Sequence, residues 1–181
     1  HNALHPALSR RLRDMAYEAL LPKASEDAEA LKKLWATIPA ADRQSPTVAS
    51  LAATAFMKTG RQQEASDILE KALMVQWDAR LLRAYRQCAA PEGSATLLAQ
   101  IEQGEQWLRE RPNDAELSLL LGALCQKQKL WGKAQQLLTQ AALSLKDPDL
   151  HRRAWRALAS LAEDRGDTAT ATQAWKRAAG D

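Results

Sequence analysis

Arg80, Arg83 and Arg86 follow one another at three-residue steps, and Arg153 and Arg156 repeat that step around Trp155. On a helix each such residue stands within about one turn of the next, and each guanidinium is a rigid fork of donors matched to carboxylates. Glu116, Leu119 and Gln126 lie on the stretch between the two groups. Together the eight residues form a candidate groove for an acidic segment of a protein partner, held by charge-assisted hydrogen bonds. Nothing comparable suggests catalysis. The histidines are His1, His5 and His151, and no HExxH, CxxC, GxSxG or Gly-rich phosphate loop occurs. The adjacent carboxylates Glu26-Asp27 and Glu163-Asp164 read as helix caps or solvated positions. His151, beside Arg152 and Arg153, opens a helix and reads as an ordinary surface histidine rather than a haem ligand. No Cys-Pro pair is present to supply a thiolate ligand. The expectation is a non-enzymatic chain with no metal site and no cofactor.

Composition points to the elements that must carry these residues. The 181 residues include only two valines and three isoleucines, against a large excess of alanine and leucine. β-branched residues are what a pleated sheet packs, so an all-α chain is expected. The longest apolar run, Leu119 to Cys125, falls far short of the ~20 residues that span a bilayer. Basic and acidic residues number 25 and 22, a formal net charge of +3. That balance argues against a nucleic-acid partner, which demands a concentrated basic face. Cys88 and Cys125 sit among apolar neighbours at helical spacing and read as small buried hydrophobes of a reducing compartment.

The helices recur as a repeat. Trp155, Leu158, Ala159 and Ala162 precede Gly166-Asp167, then come Ala171, Trp175 and Ala178. Upstream, Leu121, Gly122 and Cys125 precede Lys129, then Ala134, Leu138 and Ala141. Earlier still, Ala52, Ala53 and Phe56 precede Gly60, then Ala65, Leu69 and Ala72. These are the large and small slots of the tetratricopeptide repeat, a pair of antiparallel helices of about 34 residues. Gly60, Lys129 and Gly166 share one turn slot between helix A and helix B. Gly122, Ala53 and Ala159 are small where the two helices approach closely, and Trp155 and Trp175 are expected in the core. Trp131 falls on an A–B turn, while Trp35, Trp77 and Trp107 lie near hairpin ends.

Two weaker units follow from periodicity alone. Residues 78–111 carry an apolar face of Leu81, Leu82, Tyr85 and Cys88. Pro91-Glu92-Gly93 then breaks the chain, and Ser94 caps a second helix. At the N-terminus one amphipathic helix runs from Leu4 to Leu21 and breaks at Pro22. Asp27 and its neighbours cap the next helix, which stops before Pro39. The expected fold is a right-handed α-solenoid of five hairpins, about ten helices, spanning 1–181 as one domain. The hairpins fall at 4–38, 46–76, 78–111, 114–146 and 150–179. A helices would line the concave surface.

Three segments are more specific than the generic repeat: Leu34-Trp35-x2-Ile38-Pro39, Gln76-Trp77-Asp78-x-Arg80-Leu81 and Leu130-Trp131-Gly132-Lys133-Ala134. In this order and spacing they resemble the C-terminal tetratricopeptide region of the HemY family, bacterial inner-membrane proteins associated with haem and protoporphyrin biosynthesis. The resemblance implies a portion of a longer protein on the cytoplasmic side of the inner membrane, anchored only through segments outside this chain. It implies a scaffold for protein partners, haem-pathway enzymes among them, and transfers no catalytic residues. Two other readings stand beside it, a general peptide-binding or chaperone module and a direct haem or porphyrin binder. The carboxylate-clamp form of the former needs paired Asn and Lys on successive A helices. Asn2 and Asn113 do not provide that pairing.

Overall fold

The computed structural model describes residues 5–144 and 146–180. His1, Asn2 and Leu4, where the first helix was expected to begin, lie outside the described residues. Those described form eleven helices and no strand. They are α1 (Pro6–Ala24), α2 (Ala28–Thr37), α3 (Ala40–Arg43), α4 (Pro46–Lys58), α5 (Gln62–Val75), α6 (Ala79–Gln87), α7 (Ala95–Glu110), α8 (Ala115–Lys127), α9 (Trp131–Ala142), α10 (Pro148–Asp164) and α11 (Thr168–Ala179). The fold is an all-α solenoid of tetratricopeptide-like hairpins. Among the described residues no helix is long and apolar enough to cross a membrane. The chain divides into two compact units, one ending at Cys88 and the other beginning at Ala89.

In the first unit α4 is the hub, packed against α1, α2, α3, α5 and α6. Val48, Ala49, Ala52 and Ala53 are fully buried there, facing Ala65, Leu69 and Ala72 of α5. Gly60 ends α4's turn with φ +78°, a left-handed conformation in which a Cβ is unfavourable. Two features of this unit depart from the sequence reading. The first helix does not break at Pro22 but runs through it to Ala24. Pro22 forfeits the bond to the Glu18 carbonyl, but it stands in the final turn with only two helical residues after it, and Ser25 closes the end by donating Oγ–H and N–H to the Pro22 carbonyl. The helix beyond the ten expected is the single turn α3, on which Asp42 is buried. Asp42 accepts from Arg13 Nε at 3.2 Å and from the Tyr17 hydroxyl at 3.1 Å, tying α1 to the turn.

In the second unit α8 packs against α7, α9 and α10, and α10 against α9 and α11. Gly122 is small for a physical reason, since a Cβ there would lie 2.7 Å from Leu138 Cδ2. Gly166 and Lys129 occupy the shared turn slot expected of them, and both are left-handed there, with φ +73° and +60°. Side chains accept from backbone N–H groups at the starts of α7, α8, α10 and α11: Ser94 from Leu97, Asp114 from Leu117, Asp147 from Asp149 and Leu150, Asp167 from Thr170.

The expected hairpin 78–111 contributes its first helix to one unit and its second to the other. The link after Cys88 is hydrogen-bonded to the second unit. Buried Gln100 of α7 accepts from Ala90 N–H at 2.9 Å, and Lys127 of α8 donates to the Ala89 carbonyl. Trp175 is a further correction. The residue is 41% exposed and its indole N–H donates to Glu163, because α11 has no helix packed over its outer side among the described residues.

Candidate functional site

The arginines of α6 are positioned by the helix's own start. Asp78 accepts from Arg80 N–H at 2.8 Å, which caps α6, and from the Arg80 guanidinium at 3.0 and 2.9 Å. That hydrogen bonding holds the Asp78 carboxyl below the usual carboxylate range. Leu81, Leu82 and Tyr85 anchor the buried side, and Ala84 is buried beside the arginines at the cleft. Tyr85 is fixed by its hydroxyl, which donates to Glu70 of α5 at 2.7 Å. Burial pushes the Tyr85 phenol well above its ordinary value and raises Glu70 as well.

With α6 so oriented, Arg80 and Arg83 line a cleft of about 350 Å³ against Thr47, Ser50, Leu51 and Thr54 of α4. Its wall is rich in hydroxyls, and the buried Ser50 Oγ has no hydrogen-bond partner. Arg86 does not line this cleft; its position is a further turn-fraction round the helix, and it is half-buried. Fixed guanidinium donors beside hydroxyl groups suit an acidic peptide. A second cavity of the same unit, about 440 Å³, lies between α2, α3 and α5. The Trp35 and Phe56 rings meet edge-on at its base, and the Arg43 guanidinium sits 5.8 Å from the Trp35 centroid. The sequence placed Trp35 only near a hairpin end, since a ring's neighbours across a turn have no periodic signal.

In the second unit the remaining candidate residues divide. Arg153 forms a two-pronged ion pair with Glu116, both bonds 2.8 Å, and a third bond to Asp149 at 2.9 Å. Hydrogen bonding to Glu116 holds the guanidinium still more firmly in its charged form. Gln126 donates to Ser160 and Asp164 of α10. Glu116, Arg153 and Gln126 therefore join α8 to α10, an arrangement that leaves Arg153 far less able to meet a partner than the sequence suggested. Leu119 is not a lining residue at all. It is 1% exposed, because α8 is enclosed by α7, α9 and α10 and buries nearly every side. Arg156 is exposed and, among the described residues, makes no ion pair.

The groups with chemistry outside these faces are structural. Cys88 and Cys125 are buried free thiols, pushed by burial to about 12 and about 11. His151 accepts from the Trp155 indole N–H at 3.2 Å, and Arg177 lies 4.7 Å over the Trp155 ring. Among the described residues no group of three His, Cys, Asp or Glu side chains could hold a metal ion.

No protein-family model matches the chain, and no curated protein does. Solved structures do match. MamA 41-end from Desulfovibrio magneticus RS-1 is 16% identical with a TM-score of 0.51, over 92% of this chain and 93% of that one. MamA AMB-1 is 18% identical with a TM-score of 0.51, over 93% and 94%. Both are tetratricopeptide-like solenoids, and at this identity the likeness concerns the fold.

Proposed function

We propose that the chain is a non-catalytic scaffold that binds protein partners through the exposed arginines of its A-helix faces. The observation that carries this reading is the cleft between α4 and α6, where Arg80 and Arg83 stand over a wall of hydroxyls. Arg156, exposed on α10, is the corresponding contact on the second unit. The partner segment is acidic, since the groups offered are guanidinium and hydroxyl donors. The Trp-Gly-Lys-Ala and Gln-Trp-Asp segments support a finer assignment, the C-terminal repeat region of a HemY-type protein. In that role the scaffold gathers haem-pathway enzymes beside the bacterial inner membrane on its cytoplasmic side.

The test is capture of purified haem-biosynthetic enzymes on the immobilised chain, with Arg83→Glu/Arg156→Glu alongside. Binding by the parent chain should weaken as salt rises past the ~8 Å Debye length of physiological ionic strength. It should be lost in the double reversal while helicity and melting stay nearly unchanged. Capture that survives both reversals rules out the arginine faces. Capture of none of these enzymes rules out the haem-pathway role.

A further inference from the structure

α1 is apolar on two opposite sides. Tyr17, Leu21 and Ala24 face the first unit, and Leu21 is its one fully buried residue. At about 100° per residue, Leu8, Leu12, Met15 and Ala19 fall on the far side of the helix. All four are exposed, Leu12 at 47% and Met15 at 56%. Their spacing of four, three and four residues is that of a coiled-coil seam, with Leu8 and Met15 at d and Leu12 and Ala19 at a. Such a stripe on a surface helix is unusual, and it needs an occupant.

The residues flanking the stripe say which. Arg11 and Glu18 both fall at g, on the same edge of the seam. When two copies of α1 pair antiparallel, Leu8 packs opposite Ala19 and Leu12 opposite Met15, so that all four layers close. The same register brings g edges together and sets Arg11 of each copy beside Glu18 of the other, twice over. A parallel pairing would instead set Arg11 beside Ala16 and make no such match. Neither Arg11 nor Glu18 has a hydrogen bond or ion pair among the described residues, so both are available. We infer that the outer face of α1 docks against α1 of a second copy of this chain, in an antiparallel, two-fold symmetric pair. The contact is isologous and therefore closes at a dimer. One helix per copy buries an area at the low end of specific interfaces, so the dimer is a weak one.

Sedimentation equilibrium of the 20.0 kDa chain over micromolar to submillimolar concentrations tests this, with circular dichroism to confirm that each variant is folded. The parent chain should approach twice its monomer mass reversibly. Glu18→Arg and Arg11→Glu should each weaken association by about tenfold or more, since each creates two like-charge contacts. The combined Arg11→Glu/Glu18→Arg chain should recover the parent's association. An equimolar mixture of the two single variants should also dimerise, because each supplies the other's missing charge. A chain that stays monomeric throughout overturns the proposal and leaves the stripe to another occupant. Association indifferent to the reversals, or not rescued by mixing, overturns it too.

Discussion

Arg153 and Glu116 lie 37 residues apart in sequence and meet through two parallel hydrogen bonds of 2.8 Å. Their side chains are only 20% and 11% exposed. A pair so shielded costs more to break than a surface bridge, because the survivor keeps its charge with little water to solvate it. Glu116→Gln and Arg153→Met should each destabilise the chain by about 1–3 kcal/mol. A double-mutant cycle read by urea unfolding should return a coupling of comparable size. A coupling near zero would show that Arg153 is held by Asp149 alone.

Gly122 and Gly132 should respond oppositely to alanine. At Gly122 the new methyl meets Leu138 Cδ2 and Cγ at 2.7 and 2.8 Å, whereas at Gly132 nothing lies within 4 Å. Gly122→Ala should cost about 1–3 kcal/mol through overpacking. Gly132→Ala should be neutral or stabilising by up to about 1 kcal/mol. Paired melting curves would reveal the contrast.

Lys129 is the one non-glycine residue with positive φ among those described, in the slot where Gly60 and Gly166 stand in the other repeats. Replacing it by glycine removes the clash of Cβ with the backbone and forfeits only an exposed ion pair to Glu92. Lys129→Gly should stabilise the chain by about 0.5–1 kcal/mol at neutral pH. A lowered melting temperature would be the contrary result.

The two thiols and Tyr85 should set the alkaline limit of stability. Burial raises all three above their ordinary values. A group whose folded pKa is raised contributes stability that is complete below its unfolded pKa and is lost as pH rises toward the folded value. For the cysteines that window runs from about 8.5 upward, to about 11 for Cys125 and about 12 for Cys88. Unfolding free energy should therefore fall progressively above about pH 9. Native Cys88 and Cys125 should resist a disulfide reagent at pH 8 and react in urea. Rapid labelling of the folded chain would contradict the burial of either.

What could be foreseen from the residues was what a single local constraint dictates. A left-handed turn favours glycine, so Gly60 and Gly166 marked their slots, and spacing alone added Lys129. Close helix approach demands a missing side chain, so Gly122 was legible too. The exposure of Arg80 and Arg83 could be read because α6 has one apolar side and one polar side, whereas Arg86 lies half-buried at the edge between them. Leu119 was not, because Leu117 through Gly122 are all buried and no period distinguishes a face. Nor was the pairing of Glu116 with Arg153, since two helices must first be brought alongside before their charges can cancel. Trp175 failed for a related reason, as a core slot is buried only when a following helix covers it.

The attachment of α1 has a dynamic consequence. Its nineteen residues pack on α2 and α4, but the helix contributes one fully buried residue, Leu21, and is tied through Arg13 and Tyr17 to a carboxylate on a single-turn helix. The opening free energy of such an element is set by few contacts rather than by the whole unit. Its amides would exchange with solvent protons through detachment of α1 alone, well before those of α4. On this account α1 should open as a cooperative segment of its own before the rest of its unit, and earlier exchange of its amides than those of α4 is the sign of it.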